Sequence, residues 1–130
     1  MERDRVSEWV AAYERAWRTP GTEVLGAIFT ESASYQQAPF ARPVIGLPAI
    51  SEMWEAERDG PDEAFEMTSS IVAVDDNTAV VRVEVIYGRR AEEEFRDLWI
   101  IRFAADGRCY SFEEWPFAPR KRATAPADGG

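Results

Sequence analysis

The run Glu94-Phe95-Arg96-Asp97-Leu98-Trp99-Ile100-Ile101-Arg102-Phe103 holds an acid where an acid is costly. Read as a β-strand, alternate side chains point to opposite faces. Phe95, Asp97, Trp99, Ile101 and Phe103 then share one face, and Arg96, Leu98, Ile100 and Arg102 the other. Asp97 stands between two rings on the more aromatic, interior face. A carboxylate buried there is unfavourable unless something pairs with it, protonates it or uses it. The use open to it is that of a general base facing a pocket. Histidine is absent from the whole chain. Ser-His-Asp and Cys-His catalysis, His-ligated zinc and His proton shuttles are therefore all excluded. Acid–base chemistry would have to run on carboxylates, Tyr, Lys or water. The sequence has no Gly-rich phosphate loop, metal-ligand cluster or nucleotide fingerprint, so neither metal nor cofactor is expected.

The elements that must position Asp97 follow from periodicity. Val6, Trp9, Val10, Tyr13 and Trp17 recur at helical spacing and predict a helix from about 4 to 18. Pro20-Gly21 stops it, and Thr22 caps an expected second helix carrying Val24, Leu25, Ile28 and Phe29. A short strand over Ala33 to Gln37 comes next, then a Pro-bearing loop to Gly46. That glycine opens a third helix with the stripe Ile50, Met53 and Trp54, closed by Gly60-Pro61. The period then changes to 2. Phe65–Val74, Thr78–Tyr87, Glu93–Phe103 and Arg108–Phe117 read as strands, joined by Asp75-Asp76-Asn77, Gly88-Arg89-Arg90 and Ala105-Asp106-Gly107. Three N-terminal helices and an antiparallel meander give an α+β fold.

Composition sets the outer limits. A chain of 130 residues fits one domain, expected over 1–118 with a flexible tail over 119–130. The net charge of −9 disfavours nucleic acid and anionic membrane as partners. The basic Arg120-Lys121-Arg122 lies in the tail and reads as a solvated end. Neither a signal peptide nor a membrane-spanning run is apparent, and a single cysteine rules out an internal disulfide. A cytoplasmic location is expected.

The order of elements, with Trp9-Val10-Ala11-Ala12-Tyr13, Leu25-Gly26-Ala27-Ile28-Phe29-Thr30-Glu31, Pro39 to Gly46, Asp97 to Phe103, Asp106-Gly107-Arg108-Cys109 and Glu113-Glu114-Trp115, resembles the nuclear transport factor 2-like superfamily, in particular its SnoaL-like branch. The resemblance implies a cone-shaped curved sheet with a small-molecule pocket between sheet and helices. It also implies dimers formed through the outer sheet face. The scaffold hosts isomerases, cyclases, hydrolases, transport factors and inert association domains, so fold alone names no reaction. Ketosteroid isomerase uses a Tyr on the first helix, an Asp base on the first strand and a protonated Asp on a late strand. On this chain those positions hold Tyr13, Gln37 and Trp99. The SnoaL-type cyclases need a His–Asp pair that this chain lacks. Limonene-epoxide hydrolase needs an Arg two residues from an Asp on one strand, where this chain has Phe95 before Asp97.

The superfamily orientation would turn Phe112, Glu114 and Pro116 inward, and Ser111, Glu113, Trp115 and Phe117 outward. Glu114 would then stand on the strand beside Asp97, unless a β-bulge brought Glu113 in instead. Two carboxyls in one dry site cannot both ionise easily, so one holds a proton. Asp97 would be the base, Glu114 or Tyr13 the acid, and Tyr13 or Tyr35 a donor to a developing oxyanion. Trp54, Trp99, Phe112, Phe40 and Tyr87 would wall the pocket, with Tyr35 and Gln37 also at the ligand, a small apolar or aromatic molecule. Alternatively, the acids bind Arg42, Arg89 or Tyr13 and only tie the pocket together, leaving a non-enzymatic carrier or homodimerisation module. Cys109 is expected on the outer face and inert. Val80, Leu98, Ile100, Trp115 and Phe117, mixed with Arg82, Glu84, Arg96 and Arg102, would form the homodimer face.

Overall fold

Val6, Trp9, Val10, Tyr13 and Ala16 recur every three or four residues, and the segment Arg3–Arg18 forms helix α1 with that stripe buried. Thr19 ends it in an extended conformation, its hydroxyl donating to the Arg15 carbonyl at 2.6 Å. Trp17 sits half-buried beside the stripe, and Ala16 takes the core position. The computed structural model describes residues 1–58, 64–87 and 94–118. Gly60-Pro61, the expected connection Gly88-Arg89-Arg90 and the expected tail 119–130 lie outside those residues.

The expected second helix is only a 3-10 segment, Glu23–Ala27. Phe29, assigned to it by periodicity, instead opens strand β1, Phe29–Gln36, longer than expected. Pairing outweighs local pattern here, because the Ile28 carbonyl accepts the Cys109 N–H at 2.8 Å from across the fold. A two-residue strand that the sequence reading missed, β2 (Val44–Ile45), pairs with β1. Gly46 then turns the chain into helix α2, Leu47–Glu57, with φ +94°, a value that favours glycine. Its N–H donates to the Ala33 carbonyl at 2.8 Å and its carbonyl accepts the Ile50 N–H at 2.9 Å. Ile50 and Trp54 are fully buried on α2.

Strands β3 (Phe65–Asp75), β4 (Thr78–Tyr87), β5 (Glu94–Phe103) and β6 (Cys109–Phe117) form the expected antiparallel meander. The sheet as a whole is mixed, a correction to the antiparallel expectation. Its order is β2-β1-β6-β5-β4-β3, and β1 runs parallel to β6. Helix α1 packs on β3, and α2 packs on β1 and β2. The core lies between helices and sheet, with Ala79, Val81, Val83 and Val85 of β4 pointing into it. Among the described residues no helix is long and apolar enough to cross a membrane.

One bulge corrects the reading of Cys109. Register passes from Arg102↔Ser111 to Phe103↔Cys109, which leaves Tyr110 as the extra residue. Cys109 is thereby turned inward and fully buried, while Tyr110 is exposed. Burial pushes its thiol up to about 12, and its Sγ donates to the Ser111 carbonyl at 3.2 Å.

Candidate functional site

The register of β5 and β6 fixes the two acids. Trp99 pairs with Glu114 and Asp97 with Pro116, so Glu114 stands diagonally across from Asp97 on the same face. The bulge at Tyr110 precedes Phe112, so alternation runs undisturbed from Phe112 to Pro116. Glu113 therefore faces out, bonded to the Trp115 indole at 3.2 Å and 3.5 Å from Arg102. Strand β1 sets Tyr35 beside Phe112, and α1 lays Tyr13 over both, its ring stacked on Phe112 at 5.5 Å. The two phenols meet at 2.6 Å.

These groups border a cavity of about 560 Å³, within the ~300–1,000 Å³ of small-molecule sites. Tyr13 and Trp17 come from α1, Met53 and Glu57 from α2, and Tyr35 and Gln37 from β1 and its end. The sheet adds Phe65 and Met67 of β3, Val85 and Tyr87 of β4, and Phe95, Asp97 and Trp99 of β5. Strand β6 adds Glu114 and Pro116.

Burial and neighbouring charge make proton holders of three polar groups. Burial pushes the Glu114 carboxyl up to about 9; a hydrogen bond to Asp97, the charge of Asp97 and the charge of Glu57 act in the same direction. Glu114 therefore keeps its proton at neutral pH. Burial likewise raises Tyr13 and Tyr35 well above the ordinary phenol value, helped by the neighbouring phenol for Tyr13 and by Glu114 for both. Both stay neutral donors. Asp97 is buried at 5% exposure, and its Oδ1 has no hydrogen-bond partner. Among the described residues no Arg pairs with it; Arg42 is exposed elsewhere, and Arg89 lies outside them. Among the described residues no group of three potential ligands could hold a metal ion. A proton donor, an acceptor and two linked phenols on one cavity can move a proton on a bound molecule.

Sequence-predicted residues fall into three places. Asp97, Glu114, Tyr13, Tyr35, Gln37, Tyr87 and Trp99 line the cavity. Trp54 and Phe112 are fully buried one layer behind, packed against Tyr13 at 5.1 and 5.5 Å. Phe40, expected at the wall, is fully exposed, because the loop holding it lies outside the sheet–helix layer. Reasoning missed Trp17, Glu57, Phe65, Met67, Phe95 and Pro116, among others. The signal was available for several: Phe95 and Pro116 share the parity of Asp97 and Glu114, and Glu57 continues the stripe of Ile50, Met53 and Trp54.

Residues 10–112 match the family model of a SnoaL-like domain. No curated protein matches the sequence. Solved structures do. A candidate isomerase of the SnoaL-like family from Agrobacterium tumefaciens aligns with TM-score 0.71 and 17% identity, over 88% of this chain and 99% of that one. A candidate polyketide cyclase from Sinorhizobium meliloti aligns with TM-score 0.65 and 21% identity, over 82% and 93%. A steroid delta-isomerase from Pseudomonas aeruginosa aligns with TM-score 0.63 and 20% identity, over 90% and 82%. At such identities the likeness is one of fold. The family itself rests on the domain match across most of the sequence, and by that match the chain belongs to the SnoaL-like domain family.

Proposed function

We propose that this protein takes a small, largely apolar molecule into the cavity and moves a proton on it without a cofactor. The observation that carries the reading is the Asp97–Glu114 pair at the floor of a cavity of about 560 Å³. Asp97 is the base, taking a proton from a carbon next to a carbonyl. The C–H electron pair becomes the new C=C bond and negative charge builds on the carbonyl oxygen. In the Tyr13–Tyr35 pair, joined at 2.6 Å, one phenol donates to the other, and the second donates its own O–H to that oxygen. Glu114 supplies the proton that restores the carbonyl compound, or its isomer, at carbon. The proton taken by Asp97 passes to the Glu114 carboxylate along the hydrogen bond between them, which resets both acids. A cyclisation or hydration would use the same donor and acceptor. The steroid delta-isomerase and the candidate cyclase among the structural neighbours are compatible with such chemistry.

The test is deuterium exchange into a panel of cyclic and aryl ketones in D2O, followed by proton NMR. Wild type should accelerate exchange of at least one ketone, and Asp97→Asn should slow it by at least ~10²-fold. Equal rates in the two proteins would remove Asp97 as base. Ligand binding without exchange by wild type would leave the cavity as a carrier site.

A sheet-to-sheet homodimer completes the proposal. On the outer face Leu98, Trp115 and Phe117 are 36%, 36% and 57% exposed, beside Arg102 and Glu113. Covering them in a second copy would bury apolar surface between charged pairs that set register. Sedimentation at micromolar concentration should show the dimer, and a monomer there removes it.

A further inference from the structure

We propose that the molecule this cavity selects carries a positively charged nitrogen, an amine or quaternary ammonium on an aromatic or alicyclic body, held between Asp97 and Glu57. The inference rests on the reading that the cavity is a small-molecule site, and it names the class of molecule.

Three carboxyl groups, Glu57, Asp97 and Glu114, border the cavity, and no Lys or Arg does so among the described residues. Such a lining repels an anion. Acidity alone selects nothing, but Asp97 adds a second observation. It is an acceptor only 5% exposed, it borders the cavity, and its Oδ1 has no partner. Glu114 hydrogen-bonds the Asp97 carboxyl, yet Oδ1 is left over, and a donor or a cation stabilises such an oxygen where an apolar body does not. Glu57 is exposed where Asp97 is buried, so carboxyl groups stand at both the solvent side and the floor of the cavity.

The walls favour the same class. Tyr87 contacts Phe65 and Phe95, each at 5.9 Å, and Trp17 and Trp99 complete the aromatic lining. Ring faces attract cations, most strongly where water is excluded. Two guanidinium groups already lie near such rings at this end. Arg18 stands 3.9 Å over Phe65 while held by Glu14, and Arg58 stands 5.6 Å from Trp17. Neither borders the cavity. The overall charge of −9 adds a long-range bias towards cations.

Three probes of similar shape test this: benzyltrimethylammonium, its neutral isostere neopentylbenzene, and the anion phenylmethanesulfonate. Binding to the full chain is read at pH 8 by quenching of tryptophan fluorescence and by calorimetry. The cation should bind at least ~10-fold more tightly than neopentylbenzene, and the sulfonate should not bind. Asp97→Asn should erase the preference, and Glu57→Gln, at an exposed position, should reduce it about two- to fivefold. A thermal melt of each variant checks the fold. The quaternary cation carries no exchangeable proton, so proton release measured in two buffers reports Glu114 as a cation arrives beside it. Release should be absent with neopentylbenzene and in Glu114→Gln. Neutral binding as tight as cationic binding overturns the inference and leaves the small-molecule reading intact. Failure of both the cation and the neutral isostere to bind removes both.

Discussion

Trp9 and Trp99 both stand in the aromatic core, at 5% and 2% exposure, yet the Trp9 indole N–H donates to the Ile28 carbonyl at 2.9 Å and the Trp99 indole N–H has no partner. Around Trp9 the rings of Phe29 and Phe103 pack edge-on at 5.7 and 5.9 Å. Around Trp99 the neighbours are Tyr13 at 4.5 Å, its strand partner Glu114, and the cavity. The Trp9 end is the dry one and its indole is satisfied; the Trp99 end borders the cavity and keeps an unpaired indole, an unpaired Asp97 oxygen and a protonated acid. Native interiors rarely leave such groups orphaned. Trp99 and Asp97 both border the cavity, so the contrast between the two indoles is also one between a closed and an open side of the core.

The largest effect should come from breaking the dry end. Phe29→Ala removes a fully buried ring held between Trp9 and Phe112. It should cost ~3–5 kcal/mol in urea unfolding. Phe95→Ala, at the half-buried cavity wall, should cost about 1 kcal/mol. Equal losses would mean that the two ends are packed alike, and the contrast would fail.

The dry end was the more legible of the two in sequence. Helical spacing placed Val6, Trp9 and Val10, and alternation placed Ile101 and Phe103, because each signal is local. Pairing of β1 with β6 was not legible. The partners Tyr35 and Phe112 are far apart in sequence, and a parallel pair leaves no turn motif. The polar run Thr30-Glu31-Ser32 also hid the first half of β1. The Tyr110 bulge reversed Cys109 for a related reason, since one extra residue shifts parity without a compositional mark. For the site, parity sufficed to set Asp97 towards the interior, but its freedom from an Arg depends on three-dimensional neighbours. Phe40 shows the converse error: an aromatic in a loop has no period to say which way it faces.

Acid and base sharpen the contrast next. A carboxyl raised from 4.5 to about 9 on folding contributes its full stability below pH 4.5 and loses it progressively as pH rises towards 9. The unfolded chain releases that proton earlier, so the slope is negative throughout the window, at most about 1.4 kcal/mol per pH unit. Thermal stability should therefore fall from pH 5 to pH 8, and Glu114→Gln should flatten that fall. An unchanged slope in the variant would show that Glu114 does not hold the proton. Asp97→Asn keeps the shape of the side chain and should change stability at pH 8 by no more than about 1 kcal/mol. A loss exceeding ~1 kcal/mol would make Asp97 a structural acid.

The smallest effect tests the contrast at its origin, by making one substitution at both indoles. Trp9→Phe and Trp99→Phe remove similar volume from buried sites, so their packing costs should be alike. They differ in the hydrogen bond. Trp9→Phe loses a donor to the Ile28 carbonyl, although that carbonyl keeps the Cys109 N–H at 2.8 Å and is not left unpaired. The extra cost is therefore that of one ordinary hydrogen bond, about 1 kcal/mol. Trp99→Phe deletes a donor that has no partner, which relieves a desolvation cost and offsets part of the lost packing. Urea unfolding at pH 5, where the Glu114 proton is in place, should rank Trp99→Phe as the milder change by about 1 kcal/mol. Equal costs would mean that the Trp99 indole is satisfied in solution, by water in the cavity. The benzyltrimethylammonium titration of Trp99→Phe then separates the alternatives. A ring that faces the cation through its π-surface leaves affinity nearly unchanged when Trp becomes Phe, whereas an indole bonded to ordered water loses that water and shifts the binding enthalpy.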